Sequence, residues 1–398
     1  MSLEENPLLT LPRPIVDALF ENAKKEALRA KARILELEDK VRKFRERLKF
    51  KLISGSKSGC IAVADGSMSL APSRRIGSSF AIYTAGFMVF EGDKLIDEKY
   101  FAGSLSWSYG GTRQFKTLLR LLMANAERDA ALEAYWKYSP DVILLDGPFF
   151  FFRGYCRYIK GLDIRNFEYE TGLDLIKSVR DKTLTLIRSG RAICIIRRSI
   201  LRAIDGWLIY NKGEEACIGT SDKHILTMIM PQMSMWCYKN LGIDPILYST
   251  FYRFYRHYKE IGHRDEDLAK IKDLLLAQSE TDLENKFSKD LDMSLHDVPQ
   301  LERSYIRFTL NAPPFEVEMP QRIDIDSLIQ YFTNLFNPAT GLPYPIDLID
   351  EAVTLPYGST TSFTEEVEAR LIKDHEIRNK AAISDYFATL NPQKREFV

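Results

Sequence analysis

The chain has 398 residues, which at about 150 residues per domain predicts two or three domains, or one large domain with insertions. Hydrophobic residues make up 45% and charged residues 28%, and this composition excludes a disordered, collagen-like or low-complexity protein. Lys plus Arg and Asp plus Glu number 55 each, so bulk charge selects no partner, and any nucleic-acid surface must come from local segregation of charge. Five cysteines (Cys60, Cys156, Cys194, Cys217, Cys237) are odd in number, far apart and without a Cys-x-x-Cys pair. They predict buried thiols in a reducing cytoplasm and argue against a structural zinc site. No stretch reaches the roughly 18 to 20 apolar residues of a membrane span. Met1 to Pro14 carries acids and prolines where a signal peptide needs a basic end and an apolar run, so the expectation is a soluble intracellular protein.

From Pro14 to about Leu52, apolar residues at Leu19, Ala23, Ala27, Ala30, Ile34, Leu37, Val41, Phe44 and Leu48 recur at three and four, the period of one long amphipathic helix. Pro14 suits its first turn, and Gly55 ends the pattern. A helix of this length needs a surface, either its own domain or a second subunit; a homodimer contact is the expectation adopted. Cys60 to Asp65 is a short apolar strand closed by an acid and a turn. Ser79 to Phe90, a turn at Glu91 to Lys94, and Leu95 to Phe101 form a hairpin. Thr112 to Tyr138 is helical by period, Asp141 to Asp146 a buried strand, Gly172 to Ser189 a helix, and Arg191 to Arg197 a fifth strand. The order β-β-β-α-β-α-β predicts a mixed sheet with helices on its faces. Further on, Ser221-Asp222 opens a helix that Pro231 stops. Residues 264 to 292 look like a charged helical insertion, Tyr305 to Leu310 and Phe315 to Met319 like strands, and Asp326 to Phe336 like a helix. The expected division is 1–54 (long helix), 55–250 (core), 251–300 (helical insertion) and 301–398 (C-terminal part completing the core, plus tail).

Asp65 and Asp146 each close an apolar strand and are each followed by glycine. On neighbouring strands they would project from one sheet edge, where paired acids can share divalent metals; Asp-Gly after a strand is also ordinary turn chemistry. On the helix between them, Leu119, Met123, Glu127, Ala130 and Ala134 form the stripe facing the sheet, whereas Asp129 and Glu133 point elsewhere and read as solvated charges. An unpaired charge at Glu127 would cost several kcal/mol, so it needs a partner: a metal, or an arginine such as Arg120 or Arg128.

A strand aspartate, a helix glutamate and a second strand aspartate on this frame resemble the ribonuclease H-like nucleases. Within them the likeness is to the NurA family, DNA end-processing nucleases that work with the HerA ATPase. The matching stretches are Ile61-Ala-Val-Ala-Asp65-Gly-Ser67, Val142-Ile-Leu-Leu-Asp146-Gly147, the basic Arg197, Thr220-Ser-Asp222 with its helix, Phe315-Glu-Val-Glu-Met-Pro320, and Gly341-Leu-Pro-Tyr-Pro-Ile346. They run in the family's order over about residues 55 to 355. The resemblance implies an α/β, ribonuclease H-like mixed five-stranded sheet flanked by helices. It assigns Asp65, Glu127 and Asp146 as metal-binding carboxylates. The chain departs from the family's Gly-Tyr-Pro-Tyr-Pro-Leu and the Ala-His pair beyond it: Leu342 replaces the first tyrosine and Asp350 the histidine, and an aspartate there can still ligate a hard cation.

The activity so implied is a metal-dependent deoxyribonuclease, a 5′-3′ exonuclease and single-strand endonuclease in DNA end resection at double-strand breaks, dimeric and paired to a HerA-type hexameric ATPase. Two divalent ions about 3.5 to 4 Å apart would stabilise the attacking water and the leaving 3′ oxygen. Asp146 and Asp65 would be shared between them, with Glu127 on one and Asp350 on the other. All-oxygen ligands favour Mn2+ or Mg2+ over zinc. Arg197, or Arg198, would contact the scissile phosphate, unless it serves as a surface salt bridge. For DNA, Tyr252, Arg253, Tyr255 and Arg256 have the composition of a single-strand stacking platform, and equally that of a packed helix with solvated arginines; Tyr344 is assigned to DNA with them. His257 and His263 show no metal-ligand spacing, His224 reads as a capping residue and Ser67 as a turn residue. The readings from other classes are a non-catalytic NurA-like scaffold subunit and a ribonuclease H-like transposase or RNase.

Overall fold

The computed structural model describes residues 6–69, 71–108, 111–261, 268–373, 377 and 379–390. The N-terminal apolar period forms α1 (Arg13–Arg45), with Pro14 in its first turn. Its last third buries Leu37, Val41 and Phe44, with Leu48 just beyond the helix, against Ile225 and Leu226 in one apolar cluster. The strands in chain order are β1 (Lys51–Leu52), β2 (Cys60–Met68), β3 (Ser73–Arg74), β4 (Ser79–Glu91), β5 (Lys94–Trp107), β6 (Val142–Asp146), β7 (Ala192–Ile196), β8 (Ser234–Cys237), β9 (Leu301–Arg307) and β10 (Phe315–Pro320). The further helices are α2 (Thr112–Tyr138), α3 (Gly172–Ser189), α4 (Ala203–Lys212), α5 (Asp222–Ile229), α6 (Pro245–Glu260), α7 (Leu268–Leu291), α8 (Ile325–Ile329), α9 (Tyr344–Val353), α10 (Ser359–Lys373) and α11 (Lys380–Phe387).

The ten strands of the described residues join one mixed sheet in the order β1-β8-β9-β10-β7-β6-β2-β4, with β3 and β5 also pairing with β4. Strands β2, β6 and β7 run parallel to one another, the two β-α-β crossovers supplying the helices that parallel pairing requires. The five strands read from the sequence are its centre and one flank. The sheet then continues through β10, antiparallel to β7, into strands of the C-terminal part and finally β1.

Side-chain alternation sorts the two faces. Ile61, Val63, Val142 and Leu144 point to the face covered by Ile346 and Ile349 of α9. Ala62, Ala64, Ile143 and Leu145 point to the other, against Ala130, Ala131 and Ala134 of α2 and Leu186 and Ile187 of α3. The small alanines of strand and helix allow the close approach of α2 to the sheet.

The helix expected over Asp326 to Phe336 is cut to α8, after which the chain continues in turns to Asn337. Strand β8, at four residues, is too short for its alternation to stand out, and α10 and α11 carry no strong apolar period. No helix among the described residues is long and apolar enough to cross a membrane.

Candidate metal centre

The parallel register builds the site. Ala64 lies opposite Leu145, so the next residues, Asp65 and Asp146, leave adjacent strands side by side. By alternation both point to the α9 face. Helix α9 is held there by buried Ile346, Ile349 and Val353, and this places Asp350 over Asp65 within β2 and Asp146 at the end of β6. Carboxylate oxygens of Asp65, Asp146 and Asp350 lie within 4.8 Å of one another. Asp347, the neighbouring acid, is taken up instead by Asn337 Nδ2 and Thr340 Oγ1 at 2.7 and 2.6 Å.

Backbone geometry fixes the two strand acids. Gly66 donates its N–H to Asp65 Oδ1 at 2.6 Å, and a Cβ at Gly66 would meet Met123 Cγ at 3.1 Å and Glu127 Cβ at 3.5 Å. The strand passes closely over α2 here, so a side chain at this position would press on Met123. Gly147 has φ +76°, the left-handed region that favours glycine, and its N–H donates to Ile195 of β7 at 2.9 Å. Just beyond, Phe149 is gripped at both backbone groups: its N–H donates to Glu318 Oε2 at 2.7 Å, and its carbonyl accepts from Arg128 Nη2 at 3.1 Å.

Arg197, two residues past the Asp146 partner Ile195 on β7, spans two of the acids. Its Nε donates to Asp146 Oδ1 at 3.1 Å, its Nη1 and Nη2 donate to Asp350 at 2.9 and 3.0 Å, and Nη2 also bonds Asp146 Oδ2. Lys223 in turn donates to the Arg197 carbonyl. Burial pushes Asp65 well above the usual carboxylate range, with the charges of Asp146 and Glu127 adding to it. Asp146 is also raised, by burial against the pull of Arg197, and Arg197 holds Asp350 below its ordinary value. Three carboxylates facing one guanidinium leave a surplus of negative charge, and the donors are all oxygen. Such a set fits Mn2+ or Mg2+.

Glu127 is 1% exposed and Arg128 fully buried, and the two form an ion pair. Of the two partners considered for Glu127, the arginine is present. Arg128 also donates to Thr183 Oγ1 at 3.3 Å. Glu127 comes from the helix on the face opposite to the one Asp65 and Asp146 enter, and it does not share their 4.8 Å cluster. It nonetheless lies near enough for its charge to raise Asp65. Burial lifts Glu127 itself to about 7 despite Arg128. Asp129 and Glu133 are solvated, paired to Lys182 and Lys99.

The stacking platform is corrected. Tyr252 and Tyr255 are 7% and 1% exposed, packed with Phe251 against Ile271 and Leu275 of α7, so their ring faces are closed to bases. Arg253 bonds Asp282 at 2.8 Å and Arg256 lies 3.7 Å from Glu260. Helix α6 uses its aromatic stripe as core and its arginines as a charged outer face. Tyr344, 45% exposed in the first turn of α9, remains open. His224 bonds Thr220 through Nδ1 at 2.9 Å and donates its N–H to Ser221, and His263 lies outside the described residues.

Sequence reasoning missed the clamp on Phe149. Its signal was present in Phe315-Glu-Val-Glu-Met-Pro320: a period-two strand with acids on one face must pair those acids if that face is buried. Arg303 does so, bonding Glu316 at 3.1 Å and Glu318 at 2.6 Å. Asp222, expected as a helix start and as part of the matching Thr220-Ser-Asp222 stretch, is a buried cross-link that accepts from the N–H groups of Ala203 and Ile204 and from Tyr238 Oη.

The raised carboxylates set a pH dependence. The folded state keeps protons on Asp65, Asp146 and Glu127 that the unfolded chain has released above the ordinary carboxylate range, so these groups' contribution to metal-free stability is fully present below about pH 4 and is lost as pH rises through the folded values. For Glu127 the folded value is about 7. In EDTA the Tm is therefore expected to fall from pH 5 to pH 8, and Mn2+ to raise Tm more at pH 8 than at pH 5. A metal response equal at both pH values in thermal denaturation would contradict the crowding of these acids.

No family model matches the chain, and no curated protein matches it. Among solved structures, the NurA nuclease from Sulfolobus solfataricus is similar over 92% of this chain and 99% of its own, at 15% identity and a TM-score of 0.57. A NurA structure bound to dAMP and manganese aligns more loosely, with 15% identity, 90% and 97% coverage and a TM-score of 0.40. So does endonuclease V from Ciona intestinalis in complex with inosine-containing DNA, with 12% identity, 84% and 98% coverage and a TM-score of 0.32. The chain has the NurA-like fold, an α/β architecture with a mixed sheet flanked by helices.

Proposed function

We propose that this chain is a metal-dependent deoxyribonuclease of the NurA kind, hydrolysing phosphodiester bonds as a 5′-3′ exonuclease and single-strand endonuclease in DNA end resection. The observation that carries the reading is the meeting of Asp65, Asp146 and Asp350 at one sheet edge, on a fold shared with a NurA nuclease. Bound among these oxygens, Mn2+ or Mg2+ would offset charge on the attacking water and the leaving oxygen. Asp65, Asp146 and Asp350 are the holders, and Glu127 stands behind Asp65 as the group that tunes it. Arg197 orients Asp146 and Asp350 and offers its guanidinium to a phosphate entering beside them. Incubation with labelled single-stranded DNA and Mn2+ tests the reading; failure of the pure wild-type chain to cut would overturn it.

The scaffold reading is favoured by two observations. Leu342, in the family's tyrosine position, is packed into the core with Ile346 and Ile349, and Arg197 already supplies Asp146 and Asp350 with an internal counter-ion. The same assay decides, since a scaffold binds DNA or the ATPase without cutting.

A HerA-type hexameric ATPase, a homodimer and a cytoplasmic location belong to the same proposal. Free thiols at Cys60, Cys156, Cys194, Cys217 and Cys237 suit a reducing compartment. For the dimer, the stripe that α1 buries through Leu37, Val41 and Phe44 runs on uncovered through Ile34, Ala30, Ala27, Ala23 and Leu19, about 24 Å of helix at 1.5 Å per residue. Deleting residues 1 to 52 would strip the core as well, so substitutions are the cleaner test. Leu19→Glu with Ile34→Glu is expected to halve the mass seen by light scattering while leaving the far-UV spectrum unchanged; an unchanged mass removes the dimer.

A further inference from the structure

A cavity of about 630 Å3 opens between the sheet and α7, away from the α9 face that holds the three aspartates. Its floor includes Pro148, Leu301 and Glu318, and its walls Leu283 and Phe287 of α7 and Pro245 at the start of α6. The volume lies within the usual range of small-molecule sites, which combine an apolar lining with a few convergent polar groups.

The charged groups lining the cavity are engaged, with one exception. Asp244 accepts the N–H groups of Ile246 and Leu247 as the N-cap of α6. Glu302 takes Lys239 at 3.3 Å, and Glu318 takes Arg303 at 2.6 Å and the Phe149 N–H at 2.7 Å. The exception is Arg153, on the short 3-10 turn Phe151–Arg153. Its side chain is only 24% exposed, its nearest carboxylate is Asp290 at 3.9 Å, and Asp290 is already bonded by Arg157 at 2.9 Å. Arg153 Nη1, the nitrogen turned towards Asp290, has no hydrogen-bond partner among the described residues. A guanidinium stays charged in proteins and carries five N–H donors in a planar fork, so a largely desolvated one calls for an acceptor. Beneath it lies the Phe287 ring, 4.9 Å from Arg153 Cζ, with Phe150 edge-on to that ring at 5.4 Å.

We propose that this cavity binds an organic anion with a flat aromatic body, of the 5′-phosphorylated nucleotide class, its phosphate on Arg153 and its base among the apolar walls. The anion site stands on Arg153 and the cavity alone; the choice of a nucleotide as the aromatic anion rests on the nuclease reading above. A free nucleotide and the 5′ end of a strand present the same chemistry.

Calorimetric titration of the full chain in EDTA, so that no hydrolysis runs, tests it with dAMP, a 5′-phosphorylated oligothymidylate and inorganic phosphate. The expected result is one dAMP per chain, weakened at least tenfold by Arg153→Gln and by the cavity-filling Leu283→Trp, and unchanged by Asp146→Asn. Arg153→Gln is expected to keep or raise the Tm, because it removes a buried, under-bonded charge. Tighter binding of the oligothymidylate assigns the site to a strand end, and binding of dAMP alone to a free nucleotide. No dAMP binding, equal affinity for inorganic phosphate, or binding lost in Asp146→Asn but not in Arg153→Gln would overturn the proposal. Arg153-dependent dAMP binding by a chain that cuts no DNA would leave this site standing and remove the nuclease reading.

Discussion

Asp146→Asn is expected to slow Mn2+-dependent cleavage of labelled single-stranded DNA by about 10²- to 10³-fold, the loss typical of one group that stabilises transition-state charge. The substitution is nearly isosteric and keeps an acceptor for Arg197, so the fold should survive. Asp65→Asn should behave alike, for a related reason. Its carboxylate is 4% exposed and crowded by Asp146 and Glu127, so neutralising it relieves repulsion while removing a metal oxygen. Each variant should therefore lose activity without losing metal-free stability, and the metal-induced rise in Tm should shrink with the activity. Asp65→Ala and Asp146→Ala give the coarser control. Cleavage equal to wild type in these variants would trace the activity to a contaminant and remove the site.

Arg128→Ala is expected to destabilise the protein by about 3–5 kcal/mol, the usual result of leaving one partner of a buried ion pair uncompensated. Arg128 is fully buried and serves Glu127, Thr183 and the Phe149 carbonyl together. Its loss frees both a buried acid and the segment that follows Asp146. Glu127→Gln combined with Arg128→Met should recover much of that stability, since a pair replaced by neutral groups leaves no stranded charge. The double variant also separates the two roles of Glu127. If Glu127 holds a metal, Mn2+ affinity measured by calorimetry falls even though the fold is restored; if it serves only as partner to Arg128, affinity is kept. A loss below about 1 kcal/mol for Arg128→Ala, as for an exposed pair, would contradict the buried pair.

Much of the core was legible because it is written in local periods. The stripe of Leu119, Met123, Glu127, Ala130 and Ala134 predicted which face of α2 meets the sheet, and all five are buried. The two Asp-Gly pairs predicted two acids side by side, and the parallel register puts them on adjacent strands; only Asp146 ends its strand, because β2 continues past Asp65 through Gly66, Ser67 and Met68, paired to β4, where a turn was expected. The run at 251 to 259 was ambiguous for a physical reason: an aromatic-and-basic helix has the same period whether its rings meet bases or a neighbouring helix. Only α7, arriving from later in the chain, closes Tyr252 and Tyr255. Arg197 was legible as a basic residue after a strand but not as a clamp on Asp146 and Asp350, because Asp350 lies 153 residues away in sequence.

By itself, the amino-acid order determined which apolar strands carry the carboxylates, which helix faces are apolar, and that Glu127 must have a partner, since all three follow from periods of two or 3.6 residues and from the cost of burying charge. Tertiary structure decided which acids meet. Strand parity sends Asp65 and Asp146 to the α9 face and so recruits Asp350, while Glu127, on the helix of the opposite face, turns to Arg128. Faces and registers are properties of pairs of segments, set by packing between residues far apart in sequence, and no local period encodes them.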